Sequence, residues 1–216
     1  MTIRAEILDY VVADETEKPH PEHLSDLLVR LSANNTAKIT IRDLAIALQD
    51  RSFGAFLLVF SLPNLVPLPP GATLILALPL IFIAWQMFAS PGGRVYFPRK
   101  IGDYGVQHET FELIIKRLVP WLRRAEMLVR PRFWIFGSRF SERLIGLAAL
   151  ILAVTVFLPI PLGNWPPAVA LAVLGFAHSE RDGAGVVVGC LLGLLSVLLA
   201  CFVVYTAGAI LALAFT

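Results

Sequence analysis

Charge is what this chain has least of, and the gaps between its charges are long. Of 216 residues, 16% are Asp, Glu, Lys or Arg, against 57% hydrophobic, and mean hydropathy is +0.74. A soluble domain carries about 25% charged residues, so the deficit excludes an ordinary soluble protein and predicts an integral membrane one. No Asp, Glu, Lys, Arg or His occurs within 54–88, 144–177 or 183–216. Proton relays and many coupled carriers bury such groups, because only an ionisable side chain hands a proton through an apolar core; the sequence argues against that class. Cysteine is equally sparse. Cys190 and Cys201 both lie in the last apolar segment, about 16 Å apart along a helix, which excludes an intrachain disulfide and leaves them as packing residues.

Catalytic vocabulary is missing too. There is no nucleophile–base pattern, phosphate loop or paired-carboxylate signature, so neither an enzyme nor a cofactor is expected. His20 and His23, in His20-Pro21-Glu22-His23, are the only close histidine pair. They lack HExxH spacing and further ligands, and no metal site is expected of them. His108 and His178 stand alone at segment ends, and Asp103 and Glu109 read as loop acids. The start, Met1-Thr2-Ile3-Arg4-Ala5-Glu6, lacks the parts of a secretory signal, so the first apolar segment is expected to be retained.

What the chain does have is one membrane pattern written twice. Asp50-Arg51-Ser52-Phe53-Gly54 opens an apolar run ending at Pro67-Leu68-Pro69-Pro70-Gly71, and Glu142-Arg143-Leu144-Ile145-Gly146 opens one ending at Pro159-Ile160-Pro161-Leu162-Gly163. The acid, Arg51 and Arg143, Gly54 and Gly146, Pro67 and Pro159, Pro69 and Pro161, and Gly71 and Gly163 match at one ungapped offset of 92 residues. Helix breakers inside apolar sequence predict discontinuous, re-entrant or hairpin helices in two repeats, a pattern that points to a central binding site in transporters. The rival reading is two plain hairpins whose turns need Pro and Gly. The apolar stretches 54–66 and Gly146–Leu158 both look too short to cross a hydrocarbon core of roughly 30 Å. Broken backbone at membrane depth needs polar partners, and Asn64 and Asn164, one in or beside each break, are the candidate ligand residues together with Arg51 and Arg143 at the helix mouths. Capping of loosened helix ends is the alternative role for the asparagines, and interface anchoring for the boundary charges Asp50, Glu142, Glu180, Arg181 and Asp182.

The remaining segments frame these repeats. Leu24, Leu27, Leu28 and Leu31 predict an amphipathic helix over 21–32, ending at Asn34-Asn35-Thr36, and Thr40 with Asp43 predicts a capped helix starting at Ile41. The fold class is thus all-α. It comprises an N-terminal segment 1–40, repeat 1 over 50–88, a connector 89–141, repeat 2 over 142–180 and a last span 183–216. Residues 89–143, the connector with the two residues after it, hold eleven Lys and Arg against five acids, which places the connector on the cytoplasmic side. Bases held between membrane segments do not read as a nucleic-acid site. Within the connector Phe111, Ile114, Ile115, Leu118, Trp121, Leu122, Ala125 and Val129 form a stripe flanked by Lys116, Arg117, Arg123 and Arg124. It predicts a basic amphipathic helix, kinked or interrupted at Pro120, lying on the membrane surface or packed on the membrane domain. The last span is longer than one crossing needs, so it is tilted, broken near Gly208 or extended past the bilayer. Its Gly185, Gly189 and Gly193 form a small-residue stripe for packing within the chain or against a second copy.

At Asp50–Gly54 and Leu62-Pro63-Asn64-Leu65-Val66-Pro67-Leu68-Pro69-Pro70-Gly71 the chain resembles the bacterial ExoD family, named for exopolysaccharide synthesis. Val119-Pro120-Trp121-Leu122-Arg123-Arg124, Leu158-Pro159-Ile160-Pro161-Leu162-Gly163-Asn164 and Glu180-Arg181-Asp182-Gly183 resemble it in the same order, so the likeness spans about residues 20–210. The resemblance implies an inner-membrane protein linked to exopolysaccharide production and to growth under alkaline conditions, with no catalytic residues. Two functions are compatible with that. One is a dimeric protein that moves or senses a small solute, ion or lipid-linked group; the other is a scaffold whose basic helix recruits exopolysaccharide synthesis or export proteins.

Overall fold

The computed structural model describes residues 23–34, 38–66, 71–91, 95–128, 138–158 and 164–214. Thr40 caps the second helix as its spacing predicts: its hydroxyl accepts from the Asp43 N–H, and the Asp43 carboxylate accepts from the Thr40 N–H. In order the helices are α1 (Leu24–Asn34), α2 (Ile41–Leu48), α3 (Ser52–Ser61), α4 (Ala72–Ala89), α5 (Arg99–Gly102), α6 (His108–Leu128), α7 (Arg139–Phe157), α8 (Trp165–Ser179) and α9 (Gly183–Ala214). A 3-10 turn, Gln49–Arg51, joins α2 to α3, and another, Leu62–Leu65, extends α3. The one departure from all-α among the described residues is a two-residue antiparallel bridge, Ile39–Thr40 (β1) with Gly105–Val106 (β2).

Three helices, α4, α7 and Gly183–Ile210 of α9, are long and apolar enough to cross a membrane. The expectation that the first arm of the second copy is too short is corrected here. Ser138 caps α7 four residues before Glu142, so the helix starts in polar sequence and reaches 19 residues, about 28 Å. Counting only apolar residues hid its first turn and a half. Helix α3 with its 3-10 extension covers Ser52–Leu65, about 21 Å, and is short as predicted. Helix α9 has no break at Gly208: it is continuous over 32 residues, about 48 Å. The connector helix α6 likewise runs unbroken through Pro120.

Packing follows from where side chains are missing. Helix α3 is apolar all round and buried from Ser52 through Leu58, lying against α8. A Cβ at Gly54 would sit 2.4 Å from the Gly175 carbonyl oxygen, and one at Gly175 would sit 2.8 Å from the Leu58 nitrogen. Numbers rising along α3 meet numbers falling along α8, so the two are antiparallel. Helix α4 packs on α7, where Gly146 lets the backbone of Met87 and Phe88 approach. The glycine stripe of α9 is used inside the chain: Gly185 meets Ala177 and Asp182, Gly189 meets the Leu174 backbone and Gly193 meets the Leu152 side chain. Ser52 Oγ accepts from the Val95 N–H at 3.0 Å, tying the end of α4 to the start of α3. Helices α1 and α6 pack together, and a small apolar cavity lined by Leu24, Leu28, Leu44, Ala55, Phe56 and Leu122 marks where they meet α2 and the first half of α3.

These approaches rank the glycines. Gly54→Ala should lower stability by about 1–3 kcal/mol, because backbone rather than a movable side chain stands in the way. Gly189→Leu should destabilise clearly, whereas Val188→Leu, at a half-exposed position, and Gly208→Ala, with nothing within 4 Å, should not. Thermal unfolding of the detergent-solubilised chain measures the series; equal midpoints for Gly54→Ala and Gly208→Ala would refute the packing account.

Candidate functional site

Helix α1 begins with N–H groups that no preceding turn can satisfy, and two carboxylates from far along the chain satisfy them. The Leu24 N–H donates to Glu180 Oε1 at 2.9 Å, and the Ser25 N–H donates to Glu126 Oε1 at 2.9 Å. The Ser25 hydroxyl donates to Glu126 Oε2 at 2.7 Å, and His23 Nδ1 lies 2.9 Å from Glu180 Oε2. Negative charge at a helix N-terminus is favourable, and here it is drawn from α6 and from the turn between α8 and α9. Both carboxylates are only 8% exposed. One potential ligand atom from each of His23, Glu126 and Glu180 falls within 4.8 Å of the others. Hydrogen bonding to Glu180 raises the His23 pKa above its ordinary value, against the opposing effect of burial.

The turn that delivers Glu180 is built with care. The Asp182 N–H donates to the Ala177 carbonyl and the Arg181 N–H to the His178 carbonyl, a Schellman closure. Arg181 occupies the left-handed position at φ 54°, where glycine is the usual residue. Asp182 Oδ1 accepts from the Ala184 N–H at 3.1 Å and starts α9. Of the boundary charges singled out in the sequence, Asp182 therefore has a capping role and Glu180 a clasping one.

The other candidates fall at two ends of the bundle. Arg51 lies in the 3-10 turn before α3; Glu142 and the exposed Arg143 lie in the first turns of α7. Asp50 shares the turn with Arg51, but its side chain lies outside the described residues. Asn64 is thirteen residues beyond Arg51 on a nearly continuous helical path, about 20 Å away, so the asparagine and arginine candidates do not form one cluster. The turn carrying Asn64 packs on α8, immediately preceded by Asn164. Asn64 Nδ2 donates to the Phe60 carbonyl, and Asn164 makes no capping bond to α8. The Oδ1 atoms of both are buried without a hydrogen-bond partner. Gly71 starts α4 at φ 99°, a conformation that favours glycine. Pro67, Pro69, Pro159, Pro161 and Gly163 lie outside the described residues.

His23 thus does not lack the further potential ligands that its local sequence withholds, because they come from positions 103 and 157 residues downstream. Glu126 carried one legible signal. The buried stripe of α6 is Phe111, Ile115, Val119 and Leu122, and Glu126 continues it at helical spacing. The predicted stripe was turned toward Ile114 and Trp121, which are 50% and 68% exposed; choosing the larger side chains rotated the face and missed the acid.

The pH dependence of the clasp has a definite sign. Because the folded-state pKa of His23 is raised, the stabilising contribution of its contact with Glu180 is complete below the unfolded value near 6.5 and is lost as pH rises through the folded value. In chelator, wild-type thermal stability should fall over that interval by more than that of His23→Gln. Parallel pH profiles for the two proteins would rule the contact out as a titrating one.

A model of the family described as "Exopolysaccharide synthesis, ExoD" matches residues 24–202. An uncharacterized protein of Synechocystis sp. is 32% identical over 162 residues, covering 71% of this chain and 74% of the relative. Protein ExoD of Rhizobium meliloti is 29% identical over 175 residues, covering 74% of this chain and 68% of that protein. No solved structure matches. The family match begins at Leu24, whose N–H donates to Glu180, and extends into α9; the chain belongs to the ExoD family of membrane proteins related to exopolysaccharide synthesis.

Proposed function

We propose that the protein supports exopolysaccharide production in the bacterial inner membrane by handling a small solute or ion at the Asn64–Asn164 end of the bundle, between two structural repeats. The observation that carries this reading is the pair of buried amide oxygens without partners. An unmet buried acceptor costs about 1–3 kcal/mol, and a cation or a hydrogen-bond donor brought to that end would satisfy it. No catalytic step is assigned.

The pairing of helices supports the two-repeat part. Exchanging the halves converts α3 into α7 and α4 into α8, so the α3–α8 contact becomes the α7–α4 contact, and both are present. In detail, Gly54 against Ser179 maps under the 92-residue shift onto Gly146 against Met87, again a close approach. The starts of α3 and α7 then share one end of the bundle, which supports parallel repeats about an axis along the membrane normal, with the basic connector and the clasped N-terminal helix on the cytoplasmic side. In this reading the ends of α3 and α7 and the starts of α4 and α8 share the opposite end.

A second reading, a scaffold for synthesis or export proteins, draws on α6. Its outer face leaves Leu113, Ile114 and Trp121 exposed, with the Arg124 guanidinium 5.5 Å from the Trp121 ring centroid.

Replacing an unsatisfied polar side chain by an apolar one of similar volume is neutral or stabilising for the fold. Asn64→Leu with Asn164→Leu should therefore cut exopolysaccharide yield while membrane protein level and thermal stability hold. Unchanged yield in the double variant would refute the solute reading. Loss of yield in Leu113→Ala/Trp121→Ala, with the asparagine variant normal, would establish the scaffold in its place.

A further inference from the structure

We propose that His23, Glu126 and Glu180 form a binding site for a divalent metal ion of the zinc type, which fastens α1 and α6 to the turn between α8 and α9. Three observations lead there. The potential ligand atoms come from three separate parts of the chain and already lie within 4.8 Å of one another. Both carboxylates are more than nine-tenths buried, and among the described residues neither has a Lys or Arg partner: Arg123 pairs instead with Asp26 at 3.6 Å. Each carboxylate also has one oxygen, Oε1, fixed by a backbone N–H.

That last feature is how metal ligands are usually held. Outer hydrogen bonds orient a ligating group; here Glu180 Oε2 already faces His23 Nδ1 at 2.9 Å, and Glu126 Oε2 accepts from the Ser25 hydroxyl at 2.7 Å, with a second lone pair on each oxygen for a metal. Two buried carboxylates near one another repel and are poorly solvated, so a dication would balance them more completely than a half-exposed imidazole. One imidazole nitrogen with two carboxylate oxygens suits Zn²⁺, with Mn²⁺ as a harder relative, better than copper(I) or calcium. Zinc bonds of about 2.0–2.2 Å set tetrahedral ligand atoms roughly 3.4 Å apart, so the His23–Glu180 contact at 2.9 Å opens slightly while any wider separation, up to 4.8 Å, closes up. His23 provides the play through its side chain, which is 46% exposed; its carbonyl is held at the start of α1, accepting from the Asp26 and Leu27 N–H groups. Three protein ligands leave a fourth position for water or a small anion.

The test uses the full chain, purified in detergent through a tag without histidine, stripped with chelator and re-equilibrated with Zn²⁺, Mn²⁺, Mg²⁺ or Ca²⁺. Elemental analysis after gel filtration should find one Zn²⁺ per chain, and Zn²⁺ should raise the unfolding temperature more than Mg²⁺ or Ca²⁺ does. His23→Gln, at a half-exposed position that need not disturb the fold, should weaken Zn²⁺ binding by about 10–100-fold. Glu126→Gln should do the same, and if that variant fails to fold, His23→Gln alone decides. Absence of retained Zn²⁺ in the wild type would overturn the proposal, as would equal Zn²⁺ retention in His23→Gln. Either result would leave a hydrogen-bonded clasp without metal and would not touch the asparagine site, which lies at the other end of the bundle.

Discussion

The bundle depends on backbone meeting backbone at Gly54 and Gly175. Lipid tails are as apolar as leucine, so helices in a membrane gain little by hiding apolar side chains from one another, and close approach with good van der Waals contact has to do that work. A residue without a side chain at the crossing of α3 and α8 permits it, and Gly146 against α4 and Gly189 against α8 extend the same solution outward. Helix α3 can then be short. Surrounded on several sides by protein, it does not need the length of a lipid-facing span, and the 3-10 turn that ends it packs on α8.

Polar chemistry is sorted by level. At one end lie the clasp, the turn Glu180-Arg181-Asp182 and the mouths of α3 and α7; at the other lie two amides and the starts of α4 and α8. The span between them is apolar. Such a division lets one end be held by charge and hydrogen bonds while the other, among the described residues, is held mainly by packing, so the two ends need not respond together to a change in ionic conditions.

Much of the fold was legible from sequence because it is local. The Thr40–Asp43 cap, the leucine spacing of α1, the shortness of α3 and the small-residue face of α9 are all written within one or two helical turns. The start of α7 was misplaced because hydropathy changes at Arg143, whereas the helix is set by Ser138, a hydrogen-bonding residue that hydropathy ignores. The clasp was not legible for a different reason. Its acids look like boundary charges or one polar residue in a basic helix, and only the fold brings them to His23. Asn64 and Asn164 were legible as unusual polar residues beside breaks, but not as residues at the opposite end from Arg51, which follows only once α3 is known to be nearly straight in sequence order.

The clasp also sets an order of assembly. Leu24 opens α1, yet its N–H is satisfied by Glu180, 156 positions later. At about 5–20 residues per second, the N-terminal helix waits on the order of ten to thirty seconds for its partner. Leu24 and Leu28, buried in the finished protein, meet earlier partners, since the cavity they line is closed by residues of α2, α3 and α6. A nascent or truncated chain ending before Glu180 would cover that apolar face yet leave the first N–H of α1 unmet, so the turn after α8 is what seals the start of the helix.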